Sequence, residues 1–208
     1  MVQTLILPGL NGSSDAHWQR IWASERPDCK VLEQSEWACP SLPDWKRRLE
    51  TELAASREDV ILLAHSLGCI LAASLALSPL AARVRAAVLV APCDIVEVER
   101  LHPCCVQLDQ VPLETLPFET LIVGSLNDPY MNVPSLYRHG EKWGASIRVI
   151  GHAGHINVAS GYGRWVEGYR IFDHFLEDAR NDRRRAVSVH TRAGRAPEAA
   201  RYSETLLD

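Results

Sequence analysis

No stretch of the 208-residue chain approaches the eighteen or so consecutive apolar residues that a helical membrane span requires. There is no surplus of positive charge either. Lys and Arg number 22 against 26 Asp and Glu, for a formal net charge of −4, so no broad positive field exists to attract a phosphate backbone. Nucleic acid and membrane are therefore not expected partners. Missing too is any C-x-x-C pair. The six cysteines are Cys29, Cys39, Cys69, Cys93, Cys104 and Cys105, and the nearest approach to a metal cluster, His102-Pro103-Cys104-Cys105 with Cys93, lacks zinc-ligand spacing. No metal is expected. No basic leader precedes Thr4-Leu5-Ile6-Leu7, so a cytoplasmic protein with reduced thiols is expected. Internal repeats are absent as well.

What is present is an ordinary globular composition, 47% apolar and 23% charged, at a length suited to one domain with a tail. Short β-branched or leucine-rich runs alternate with longer amphipathic stretches, the pattern of a parallel sheet flanked by helices. Strands are expected over 4–7, 30–32, 60–64, 86–90, 120–124 and 147–150. Helices are expected over 18–25, 45–56, 67–78, 135–143 and 163–179. The second helix follows Ser41-Leu42-Pro43-Asp44, a capping residue and a first-turn proline. Pro92, Pro103, Pro112 and Pro117 in and beside residues 93–119 break the rhythm, and an irregular excursion is expected there. From Arg180 the chain carries seven arginines, four acids and almost no large apolar residue before Leu206-Leu207. The expectation is an α/β domain over 1–179 and an Arg-rich mobile tail over 180–208.

The strongest local signal is Val60-Ile61-Leu62-Leu63-Ala64-His65-Ser66-Leu67-Gly68, a strand ending in a small-x-Ser-x-Gly turn that runs into Cys69-Ile70-Leu71-Ala72. Strand, sharp turn and helix in that order project the serine hydroxyl from the sheet, and tiny residues two before and two after it permit the close packing this needs. Ala64 stands where glycine is usual. The same turn aims the Leu67 amide, at a helix N-terminus, toward the position where an oxyanion would form. The plainer reading of Ser66 is a helix cap. His65 is expected on the opposite side of the turn as a packing residue.

A serine hydroxyl needs an imidazole to take its proton, and in this kind of fold the order is Ser, Asp, His. Gly151-His152-Ala153-Gly154-His155-Ile156-Asn157 offers two histidines, of which His155, beside Gly154 and the last helix, is preferred as general base. The acid expected to orient it is Asp128, in Ser125-Leu126-Asn127-Asp128-Pro129-Tyr130 after the fifth strand, with Asp94, one strand earlier, as the alternative. Pro8-Gly9-Leu10-Asn11-Gly12-Ser13-Ser14, after the first strand, supplies the Leu10 amide as second oxyanion donor. Asn11 and Trp18 are the candidate substrate contacts, and Trp22, Trp37 and Trp45 are read as core.

Together these motifs resemble the small serine hydrolases of the retinoblastoma-binding protein nine family, a compact branch of the α/β-hydrolases. The likeness runs from about Thr4 to Leu176 and rests on Pro8-Gly9 with Gly12-Ser13-Ser14, His17-Trp18 with Trp22, the serine elbow, Asn127-Asp128-Pro129-Tyr130, and Gly154-His155-Ile156-Asn157. It implies a Ser66, Asp128, His155 triad on six parallel strands without a large cap domain. The expected activity is hydrolysis of carboxylic esters or related small acyl compounds, with no cofactor, a small acyl or ester substrate as partner, and room left for a protein partner. The alternative is a protein-interaction module that retains the hydrolase fold.

Overall fold

Side chains alternate across an extended strand, and the apolar strand residues divide accordingly into two cores. Leu5, Leu7, Leu62, Ala64, Ala87, Leu89 and Ile122 face one side, while Ile6, Ile61, Leu63, Val88, Val90 and Val123 face the other. A sheet buried on both faces reads as continuous apolar runs, as Val60-Ile61-Leu62-Leu63-Ala64 does. The computed structural model describes residues 2–102 and 111–193.

Within them lies one sheet of six parallel strands: β1 (Gln3–Leu7), β2 (Cys29–Val31), β3 (Val60–His65), β4 (Val84–Val90), β5 (Glu119–Gly124) and β6 (Ser146–Val149). Their order is β2-β1-β3-β4-β5-β6. The direction of winding reverses between β1 and β3, the point where open α/β sheets form a crevice at the strand C-termini. Both edge strands are short, and each carries an exposed cation, Lys30 on β2 paired with Glu52 and Arg148 on β6 facing Glu167 at 3.9 Å.

One face is covered by α2 (Leu42–Ala55), α3 (Leu67–Ala73), α4 (Ile95–Leu101) and α5 (Val133–Trp143), which contribute among others Trp45, Leu49, Ile70, Val98 and Leu136. The other is covered by α1 (Trp18–Glu25) and α6 (Val166–Ala193), through Trp18, Trp22, Ile171, Phe172 and Leu176. Ser41 caps α2 by accepting the Asp44 N–H, and Gly144 ends α5 in the left-handed conformation.

Three expectations change. The stretch after Pro92 contains α4, capped by Asp94, ahead of the prolines that broke the pattern. The helix after the elbow stops at Ala73 instead of continuing to 78, because the chain turns before Pro79. The last helix does not end at 179, since no glycine or proline interrupts the chain from Tyr169 to Ala193, and α6 runs on to Ala193. The expected tail thus begins inside a helix; residues 194–208, like Cys104 and Cys105, lie outside the described residues. Among the described residues, no helix is long and apolar enough to cross a membrane.

Candidate active site

Four non-glycine residues among those described have positive φ: Asn11, Ser66, Ala91 and Ile156. Each lies beyond the C-terminal end of a strand, Asn11 after β1, Ser66 after β3, Ala91 after β4 and Ile156 after β6. Such conformations cost on the order of 1–3 kcal/mol apiece and persist only where the surroundings fix them, which is why they gather at functional sites.

Ser66 is the sharpest case, with φ 55° and ψ −123° at the start of α3, and its side chain makes no capping bond to the helix. The plain helix-cap reading of this serine therefore fails. The strained turn is held by two glycines that leave no room for a Cβ. A methyl on Gly68 would lie 2.2 Å from the Leu7 carbonyl oxygen, and one on Gly9 would lie 2.7 Å from Ser66 Cβ and 3.1 Å from the Leu67 nitrogen. The loop after β1 is thus pressed onto the elbow at Gly9, the residue before Leu10. Leu67 is the first residue of α3, one of the amides a helix leaves without an intrahelical acceptor. Among the described residues the Leu10 amide makes no backbone hydrogen bond, whereas the next two amides are taken: Asn11 N–H donates to Trp37 O and Gly12 N–H to Gly9 O.

His155 lies 89 positions later in the chain, yet its Nε2 is 2.8 Å from Ser66 Oγ. Its Nδ1 is 2.9 Å from both carboxylate oxygens of Asp128. Both side chains are nearly closed to solvent, 7% and 2% exposed. Asp128 Oδ1 also accepts the Tyr130 N–H, so the carboxylate is anchored by its own loop. The three residues read from the sequence as a triad are thus brought into one hydrogen-bonded line. The two alternatives fall elsewhere. His152 is exposed, and Asp94 accepts the Val96 N–H as the cap of α4.

Residues not singled out from the sequence hold this line in place. Asn127 Oδ1 accepts bonds from Ser125 Oγ and from the Gly154 N–H, while Ser125 Oγ accepts the Ala153 N–H, so the Asp128 loop is tied to the His155 loop. Ser160 Oγ accepts the His155 N–H at 3.1 Å. The Tyr130 ring stands 4.4 Å from the imidazole, and its hydroxyl shares a 2.8 Å hydrogen bond with His102. The signal for Asn127 was present in the Ser125-Leu126-Asn127-Asp128 run, since a side-chain amide beside an acid in a turn suits cross-loop bonding.

The candidate substrate contacts divide. Asn11 is exposed on the loop beside Ser66. Trp18 is corrected: it is fully buried on the α1/α6 face, where its indole N–H donates to the Ile156 carbonyl, and it presents no surface to a substrate. His65 takes the expected place on the far side of the elbow, packed against His17, Trp18 and His155.

Burial, with His155 nearby, lowers His17 to about 4 and holds His65 well below its ordinary value, so both are neutral at pH 7. Burial pushes the Cys93 thiol up to about 12. It stays protonated at neutral pH. Among the described residues, no group of three or more His, Cys, Asp or Glu side chains is arranged to hold a metal ion.

A model of the serine hydrolase family matches residues 4–174. No curated protein sequence matches the chain. Among solved structures, a YdeN-like hydrolase of Pectobacterium atrosepticum is 28% identical, with a TM-score of 0.75 over 86% of this chain and 92% of that one. The ydeN gene product of B. subtilis shares the fold at 18% identity, TM-score 0.66, over 85% and 100% of the two chains. So does the type II thioesterase BorB of the borrelidin biosynthetic cluster, at 17% identity, TM-score 0.59, over 83% and 92%.

Proposed function

Because the chain belongs to the serine hydrolase family, with α/β-hydrolases as its structural neighbours, we propose that it hydrolyses carboxylic esters or related small acyl compounds through an acyl-Ser66 intermediate. One observation carries this reading: His155 faces Ser66 Oγ with one ring nitrogen and the Asp128 carboxylate with the other. Asp128 holds the proton on Nδ1 and leaves Nε2 free to accept the serine proton. In the first half-reaction Ser66 Oγ bonds to the acyl carbon while its proton passes to Nε2. The oxygen that gains charge faces the Leu10 and Leu67 amides. Collapse expels the alcohol, which takes the proton from Nε2. Water then repeats the sequence on the acyl-serine, returning the free acid and the serine hydroxyl. Neutral His17 and His65 add no positive charge beside the imidazolium as it forms. Within the family we place the chain beside the retinoblastoma-binding protein nine group, on its Asn127-Asp128-Pro129-Tyr130 and Gly154-His155-Ile156-Asn157 motifs.

The test is covalent. A fluorophosphonate probe should label the wild-type protein at Ser66, located by peptide mass, and short-chain p-nitrophenyl esters should be hydrolysed. Ser66→Ala should abolish labelling and lower turnover by roughly a millionfold. Labelling that survives the substitution would overturn the assignment.

A further inference from the structure

The base is held by more than its acid. All four backbone polar groups of His155 and Ile156 are hydrogen-bonded: the His155 N–H to Ser160 Oγ, the Ile156 N–H to the Ala153 carbonyl, the His155 carbonyl to His65 Nε2 at 2.9 Å, and the Ile156 carbonyl to Trp18 Nε1 at 2.9 Å. Ile156 has φ 48°, a conformation that a β-branched residue adopts only under constraint. Two of the four bonds thus come from ring N–H groups on distant elements, and both donors are buried. A carbonyl oxygen only accepts, so His65 donates from Nε2. His65 is also the residue immediately before Ser66. A closed circuit results. It runs from Ser66 Oγ to the His155 ring, through the His155 backbone to its carbonyl, across to the His65 ring, and back along one peptide bond to Ser66.

Resting on the reading of His155 as general base, we propose that His65, seconded by Trp18, is a positioning residue that fixes the base against the nucleophile by clamping the His155–Ile156 backbone. The triad contacts set where the imidazole nitrogens aim. The clamp sets where the ring is anchored, from the same turn that carries the serine. Without the His65 donor the His155 carbonyl is left buried and unpaired, and the loop is free to rotate toward other partners. Errors of about 1 Å in such an anchor cost on the order of a hundredfold in rate.

The experiment compares His65→Phe, which keeps a flat ring but removes the N–H, with His65→Gln, whose side-chain amide nitrogen reaches about as far as Nε2. Steady-state hydrolysis of p-nitrophenyl acetate is measured alongside the far-downfield NMR signal of the His155 Nδ1–H proton shared with Asp128. For His65→Phe, kcat should fall about a hundredfold with KM changed by less than about twofold, and the downfield proton should shift or broaden. His65→Gln should recover to within about tenfold of wild-type kcat and restore the signal. Should His65→Phe fail to fold, Trp18→Phe removes the second donor, and the same kcat loss and signal change are expected of it. Equal kcat in the Phe and Gln variants, or wild-type kcat and signal with only a lower Tm, would overturn the clamp. If the wild-type protein neither hydrolyses the ester nor takes the probe, the proposed function falls. The clamp is then judged on the downfield signal alone, lost in Phe and kept in Gln if it exists, unchanged in both if it does not.

Discussion

Asp128 and Asp94 follow successive strands, and each accepts an N–H from the residue two positions on, yet their surroundings give them different work. Asp128 meets the His155 imidazole with both oxygens, while Asp94 caps α4. Asp128→Asn should leave circular dichroism unchanged and cut ester turnover by roughly ten-thousandfold, because an amide favours the wrong imidazole tautomer. Asp94→Asn keeps a good capping residue and should change stability by no more than a few tenths of a kcal/mol, with wild-type turnover. A crippled Asp94→Asn enzyme would transfer the acid to the earlier strand. The hydrogen-bonded line of Ser66, His155 and Asp128 was legible because the proposed chemistry needs fixed residue types in a fixed chain order. Trp18 was not, because Trp18 and Trp22 announce an amphipathic helix face without saying which side of the sheet that face covers. Nor was the clamp, which depends on a carbonyl 90 positions from His65.

At the scale of elements, the site exists because β1 and β3 lie side by side and their following turns touch. The contact depends on absent atoms: the carbonyl oxygens of Leu7 and Pro8 occupy the space where a Gly68 side chain would begin. Gly68→Ala should therefore destabilise the protein by about 1–3 kcal/mol, read by urea denaturation, and should suppress probe labelling as the elbow shifts. Gly163→Ala, where a methyl would find only an ordinary 3.4 Å contact, should do neither. The strands were legible from their apolar runs. The helix α4 was not legible beside four prolines, although Asp94-Ile95-Val96-Glu97 carries a capping residue and a first-turn acid. The end of α6 was not legible because apolar residues thin out while helix-forming ones continue, and apolar content and helix propensity are separate properties.

For the molecule as a whole, the paired neutral histidines make stability depend on acidity. His17 titrates near 4 when folded against an ordinary 6.5, and His65 lies well below the ordinary value too. Above pH 6.5 both states are neutral and the term vanishes. Below it the unfolded chain takes up protons that the folded chain refuses, so stability falls as pH drops toward 4, with a slope approaching about 1.4 kcal/mol per pH unit for each histidine. His17→Asn removes one titration while keeping a residue that caps α1 well. Its denaturation midpoint should fall less between pH 6.5 and 4.5 than that of the wild type. An identical slope would mean that His17 is charged in the folded protein.

The short edge strands bear on how copies of the molecule treat one another. A sheet open at both ends offers unpaired backbone groups to any passing chain, and a long flat apolar edge would let two sheets join into one. Here β2 has three residues with Lys30 at its centre, and β6 has four with Arg148 facing outward. Pairing across either edge would strip water from these cations and crowd their ion pairs with Glu52 and Glu167. These short, charged edges disfavour sheet-to-sheet joining, and replacing Lys30 and Arg148 by valine should increase self-association in concentrated solution, read by light scattering.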